Sequence, residues 1–199
     1  LPAFDGNSQP VIADQGNRRI RRVGTNGYIT TVAGNGNNGV TGDGGPALNA
    51  PLGTITGIDV GADGSLYIAS GFGRIRRVAT DGIIDHAVGP TVNTGYGYLE
   101  DGHPADSTGV AVPERVAVGP DGTLFVTEGL GIDPKRSMHI VRVTEATGLL
   151  STVAGNGTRA CGTVESNSES AVTHALDCIG SNDVNWNRSW SRSSGPNSR

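Results

Sequence analysis

The chain is poor in the residues on which large cores and specialised chemistries depend. Aromatics make up 5% of its 199 residues, methionine occurs once and cysteine twice. No apolar run approaches the ~18 residues that a membrane-crossing helix needs, so no membrane span is expected. Charge is sparse at 17%, with Lys and Arg at 15 against Asp and Glu at 19, a formal net charge of -4. A basic surface of the strength that nucleic acids select is therefore excluded. Local catalytic signatures are missing too. There is no Gly-x-Ser-x-Gly elbow, no H-E-x-x-H, no P-loop and no calcium-loop spacing.

Glycine, at 32 residues, and proline, at 10, are plentiful. Without a G-X-Y period that excess means many turns rather than collagen. The pentapeptide Arg19-Ile20-Arg21-Arg22-Val23 recurs unchanged as Arg74-Ile75-Arg76-Arg77-Val78, and more weakly as His139-Ile140-Val141-Arg142-Val143. Each copy is preceded by an apolar run (Val11 to Asp14, Leu66 to Ser70, Leu124 to Glu128). Each is followed by another (Ile29 to Gly34, Ile83 to Gly89, Leu150 to Gly155). A fourth run opens each unit, with Ile58-Asp59-Val60-Gly61-Ala62-Asp63-Gly64 matching Val116-Ala117-Val118-Gly119-Pro120-Asp121-Gly122. The start of the chain fits the same slot.

These runs are rich in Val, Ile, Thr and Tyr, which suit pleated strands. The Asp-Gly pairs between them predict type I′ hairpin turns. The expected fold is all-β, with three four-stranded units at residues 1–34, 56–89 and 114–155 joined by long loops. Tandem four-stranded units are the pattern of a β-propeller. Residues 181–199 depart from the pattern and read as one extra strand at most, followed by a low-complexity tail.

The inter-unit loops share a framework. Gly42-Asp43-Gly44-Gly45-Pro46-Ala47 corresponds to Glu100-Asp101-Gly102-His103-Pro104-Ala105. Equal spacing separates Ala47 from Leu52, Ala105 from Val110 and Ala171 from Leu176. Asp43 and Asp101 read as turn-stabilising residues. Asp14, Gly16 and Asn17 read as a turn in which Arg18 or Arg19 would pair with Asp14. Alternation along the arginine-rich strands predicts stems lying on apolar surface and charged heads in solvent.

The segment from Ile12-Ala13-Asp14-Gln15-Gly16-Asn17-Arg18 through Val23 resembles the NHL repeat. With Thr31-Val32-Ala33-Gly34-Asn35-Gly36 and the Gly42-Asp43-Gly44-Gly45-Pro46-Ala47 loop, the unit resembles NHL arrays of bacterial exported proteins and of teneurin-like proteins that carry YD repeats. The resemblance covers roughly residues 2–180. It implies a propeller and says little about activity, because one fold hosts many functions.

Departures between copies mark the candidate site. Glu114 and Arg115 replace Thr56 and Gly57, Glu128 stands where Asp14 and Ser70 do, and Asp59 interrupts an apolar strand where its counterpart is Ala117. A carboxylate in that setting must find a partner or change its pKa. His103 replaces Gly45, His139 opens the strand where Arg19 and Arg74 stand, and His174 replaces Ala50. If these side chains share one rim, a zinc or calcium site assembles from distant positions. The alternative is ordinary variation between copies.

Two functions follow as expectations. The first is a recognition or scaffold propeller that binds a protein or glycan through its loop face. The second is a metal-dependent hydrolase or lyase with a His/carboxylate site near the axis. Cys161 and Cys178 share one Gly/Ser/Asn-rich loop, where either a disulfide or two free thiols is consistent with their spacing. A disulfide would suit an exported protein, extracellular or periplasmic. The chain opens on Leu1 without a charged and apolar leader, which reads as a processed product or a fragment. Propellers close with about 4–8 blades. Three blades per chain therefore predict a homodimer that completes a six-bladed ring.

Overall fold

The computed structural model describes residues 2–70, 73–89, 101–107, 110, 112–128, 140–143 and 148–154. They form three antiparallel sheets. The first sheet runs β1 (Ala3–Phe4), β2 (Pro10–Asp14), β3 (Arg19–Val23) and β4 (Ile29–Ala33), each strand beside the next. The loop after it contributes a short strand, β5 (Gly45–Pro46). The second sheet continues with β6 (Ile55–Val60), β7 (Leu66–Ser70), β8 (Arg74–Val78) and β9 (Ile83–Val88). Its order is β5-β9-β8-β7-β6, so the loop strand lies outside the last strand of the sheet that follows it. The third sheet is β10 (Pro113–Val118), β11 (Leu124–Glu128), β12 (Ile140–Val143) and β13 (Leu150–Ala154), again in sequence order.

The repeat fixes the register. Ile12 pairs with Arg21, Ile68 with Arg76, and Val126 with Val141. Each pair occupies the same place in its own sheet. The turns differ from the expected type I′. That type needs positive φ at both central residues, yet Gly64 and Gly122 alone turn positive in their hairpins. Gly64 N–H donates to Gly61 O at 2.9 Å and Gly61 N–H to Ser65 O at 2.9 Å. This is a type I turn closed by a left-handed residue. Asp63 and Asp121 fix it by accepting from the backbone N–H and the hydroxyl of Ser65 and Thr123.

Two apolar layers hold the sheets together. Val11, Ile20 and Ala33 of the first sheet meet Leu66, Ile68, Val78 and Ile84 of the second. The opposite face of the second sheet, with Tyr67, Ala69, Ile75 and Val88, meets Val116, Leu124, Val126 and Leu150 of the third. Side chains alternate between the faces of a strand, so one sheet feeds both layers. Full burial of an aliphatic side chain of this size contributes ~1.5–3 kcal/mol. The first strands converge, with β1 against β6 and β6 against β10.

The inter-sheet loops act as clamps. Ala47 O accepts from Gly34 N–H, and Ala47 N–H donates to Gly82 O at 2.8 Å. Ala105 repeats this with Gly89 and Gly148. Each loop thus ties the end of one sheet to the outer hairpin of the next.

Candidate functional site

The inner strands enclose a cleft of about 240 Å³ that includes Ala3, Ala13, Thr56, Gly57, Asp59 and Arg115 in its walls. It opens where β1, β6 and β10 begin. Gly57 is required there for close approach: a Cβ on it would fall 2.8 Å from Arg115 Cα and 2.9 Å from Glu114 O. Those contacts are backbone and cannot give way, so the absence of a side chain lets β6 and β10 touch. The Thr56 hydroxyl crosses the same junction and donates to Pro113 O.

Asp59 finds its partner in the next sheet. Its carboxylate accepts from Val118 N–H at 2.8 Å, which satisfies an otherwise costly polar group. Arg115 is exposed at the cleft wall and makes no hydrogen bond or ion pair among the described residues. Glu114, also exposed, is its chain neighbour. The cleft therefore offers a free guanidinium for a carboxylate, phosphate or sugar hydroxyl, beside a carboxylate held by backbone.

Of the residues expected from sequence, Asp59 and Arg115 share this cleft. Glu128 ends β11 and is buried opposite Pro113. His103 lies at the far edge of the third sheet, where its carbonyl accepts from Leu150 N–H on β13. Glu114 belongs to β10, so the third sheet holds these two at opposite edges. His139, His174, Cys161, Cys178 and residues 181–199 lie outside the described residues. Thr56 and Gly57 were legible only as the counterparts of Glu114 and Arg115.

A second polar centre contradicts the expectation for the arginine heads. Arg22 and Arg77 do reach partly into solvent, pairing with Asp5 at 3.2 Å and Asp63 at 2.8 Å. Arg76, by contrast, is fully buried. Its Nε donates to Asp43 at 2.8 Å, Nη1 to Pro51 O at 2.9 Å and Nη2 to Thr41 O at 3.0 Å. Arg74, also buried, donates to Val40 O at 3.2 Å and has Asp43 at 3.8 Å. Burial pulls its guanidinium below the ordinary value, and Asp43 opposes that shift. The preceding loop folds across the sheet and supplies every acceptor found among the described residues. Asp43 is thus the anion of a buried network as well as a turn residue. Asp101, its counterpart, instead accepts from Thr152 N–H at 2.7 Å and from the Thr152 hydroxyl at 2.9 Å. Asp14 also differs from expectation: Arg21, not Arg18 or Arg19, pairs with it at 3.3 Å. Asn17 at 2.9 Å does most to hold its carboxyl below the usual range.

Among the described residues, Asp43, Asp85 and His86 bring three candidate metal-ligand atoms within 4.8 Å of one another. Asp43 is already shared by two guanidiniums, whose charge opposes a cation there. His86 Nδ1 lies 2.9 Å from its neighbour Asp85.

No family model matches the sequence, and no curated protein does. Solved structures do match. One is a protein of unknown function from Bacteroides thetaiotaomicron, with a TM-score of 0.55 at 17% identity over 77% of this chain and 35% of that one. Another is a gluconolactonase from Xanthomonas campestris, with a TM-score of 0.51 at 17% identity over 77% of this chain and 46% of that one. At such identities the likeness concerns the fold, which is β-propeller-like and antiparallel. The chain spans less than half the length of either structure. Among the described residues no helix is long and apolar enough to cross a membrane.

Proposed function

We propose that the chain is part of an NHL-type recognition propeller, each sheet being one blade, and that its inner cleft binds an anionic or hydroxyl-rich segment of a protein or glycan. The observation that carries this reading is the unpaired Arg115 in the wall of a cleft formed by inner strands. Arg is well suited to planar, bidentate recognition of carboxylates. An exported setting, extracellular or periplasmic, fits such a role. Two chains would complete a six-bladed ring and enclose the cleft on all sides, which light scattering on the isolated chain tests.

The test of recognition is a binding screen over immobilised acidic glycans and peptides. The native chain is expected to retain at least one class, and Arg115→Ala to lose it with an unchanged Tm. Retention of nothing, or binding indifferent to Arg115, overturns the reading.

A metal-dependent hydrolase or lyase is the second reading, motivated by the likeness to a gluconolactonase. It requires His103, His139 or His174 as ligands together with Glu114 or Glu128. Elemental analysis for zinc or calcium, with turnover before and after chelation, separates the two readings.

A further inference from the structure

Equivalent residues of the three sheets differ in burial in one systematic way. Ile84 and Leu150 hold the same place in the outer strands β9 and β13, and they are 0% and 1% exposed. Their counterpart in β4 is Ile29, which is 61% exposed. Ile68 and Val126 are both 0% exposed, whereas Ile12 is 37% exposed. The side chain of Arg76 is 0% exposed and that of Arg21, in the identical pentapeptide, is 30% exposed.

Part of this cover is the neighbouring sheet, since Ile68 and Ile84 pack with Val11, Ile20 and Ala33, and Val126 and Leu150 with Tyr67, Ala69, Ile75 and Val88. The outer edges are covered by the loops. Gly44 N–H donates to Ile84 O at 2.8 Å, and Gly45 and Pro46 pair with Ile84 and Ile83. Gly102 N–H donates to Leu150 O at 2.8 Å, and Leu150 N–H donates to His103 O at 2.9 Å. Among the described residues nothing pairs with the outer edge of β4. An open edge of this kind is a template for strand addition.

We infer that the outer edge of β4, with Arg21 and Ile29, is a seat for an added extended segment of the Gly-Asp-Gly-Gly-Pro-Ala type. Its acidic residue takes Arg21 as Asp43 takes Arg76, and its Gly-Pro pair extends the sheet beside Ile29. The occupant's chemistry is read from the chain itself. Arg76 matches Arg21 in sequence and register, and among the described residues the segment from Thr41 to Pro51 supplies every hydrogen-bond acceptor that Arg76 has. Charge agrees as well. Arg21 spends its Nε and Nη1 on Asp14 and Thr31, and Nη2 makes no hydrogen bond among the described residues.

The test uses the full chain and a synthetic peptide with the sequence of residues 40–52. Hydrogen exchange at the Ile29 amide is expected to slow at least tenfold at saturating peptide. Replacing the peptide's aspartate by alanine, or Arg21→Ala in the chain, is expected to weaken binding at least tenfold. A second variant guards against a peptide too short to bind alone: a copy of residues 40–56 is placed directly ahead of Leu1, restoring before Phe4 the spacing that separates Asp43 from Val60, the counterpart of Phe4. It is expected to protect Ile29 and raise the Tm, and aspartate-to-alanine in the added copy is expected to remove part of the gain. A parent chain whose Ile29 is protected only in a dimer that the added copy dissociates also supports the seat, with a second copy as donor. Unchanged Ile29 exchange in both experiments, or effects indifferent to Arg21 and to the aspartate, overturns the inference.

Discussion

Asp43→Ala isolates the buried arginine network. The substitution removes the carboxylate that Arg76 grips through two nitrogens and that Arg74 faces at 3.8 Å. Arg76 keeps the carbonyls of Pro51 and Thr41, so part of its hydrogen bonding survives. Its charge, with 0% exposure, does not keep a counter-ion. Removing one partner of a buried pair costs about 3–5 kcal/mol. The two surviving acceptors place the expected cost near the lower end, about 3 kcal/mol. For a chain of this size each kcal/mol shifts Tm by about 2–4 °C, so a fall of about 6–12 °C is expected. Guanidinium denaturation should give a lower midpoint with an unchanged m value. The double variant Asp43→Ala/Arg76→Met removes the orphaned charge along with its partner. It should recover more than about 1 kcal/mol of the loss, because an apolar replacement of a buried pair is often neutral. A loss under about 1 kcal/mol for Asp43→Ala alone, or no recovery in the double variant, refutes the account.

Asp63→Asn tests the surface turn: Ser65 is the main cause of the Asp63 carboxyl lying at about 2, below its ordinary 3.8. A depressed carboxyl adds stability above its unfolded pKa that disappears as pH falls through the folded one. The variant should therefore melt lower than the native chain at pH 6 and alike near pH 2, and equal deficits at both pH values would contradict this. Gly57→Ala should cost at least ~2 kcal/mol, because its Cβ meets the β10 backbone, and urea titration measures it. Ser8 takes φ 60 where its counterparts are Gly64 and Gly122, so Ser8→Gly should be neutral to stabilising by up to ~1 kcal/mol despite added chain entropy; a drop in Tm would count against the turn assignment. For Cys161 and Cys178, intact mass after alkylation without reductant should show no label if they are bridged, and two labelled thiols would exclude the bridge.

The strands were legible because their signals are local. Apolar runs, β-branched residues and Gly-containing turns lie within a few residues of each strand, and three copies reinforce one another. β5 was not legible. Gly45 and Pro46 carry neither alternation nor strand preference, and their pairing depends on β9, far along the chain. The arginine heads show the same limit more sharply. One pentapeptide occurs twice without change, yet Arg21 is half-buried and Arg76 fully buried. Nothing inside the pentapeptide could predict that difference, since it arises from what packs on each strand: residues 40–51 and the first sheet cover the face of Arg76. The turn type failed for another reason. Asp-Gly pairs serve both type I′ turns and type I turns closed by a left-handed glycine, and the choice depends on loop length.

For the cleft, comparison of copies located part of the site and not its logic. Asp59 stood out because Ala117 occupies its place, and Arg115 because Gly57 does. The structure adds that these two departures belong to one junction. β6 carries the glycine that lets β10 approach, and β10 carries the arginine that the approach brings to the cleft wall. Asp59 then closes the junction through Val118 N–H. Exchanging the departures between copies would therefore not move the cleft. An arginine at position 57 would collide with the β10 backbone, and a glycine at 115 would leave the cleft without a cation. The identity of each inner residue is thus set by the sheet on its other side. That is why a single repeat unit, read alone, identifies the strand but not the chemistry it presents.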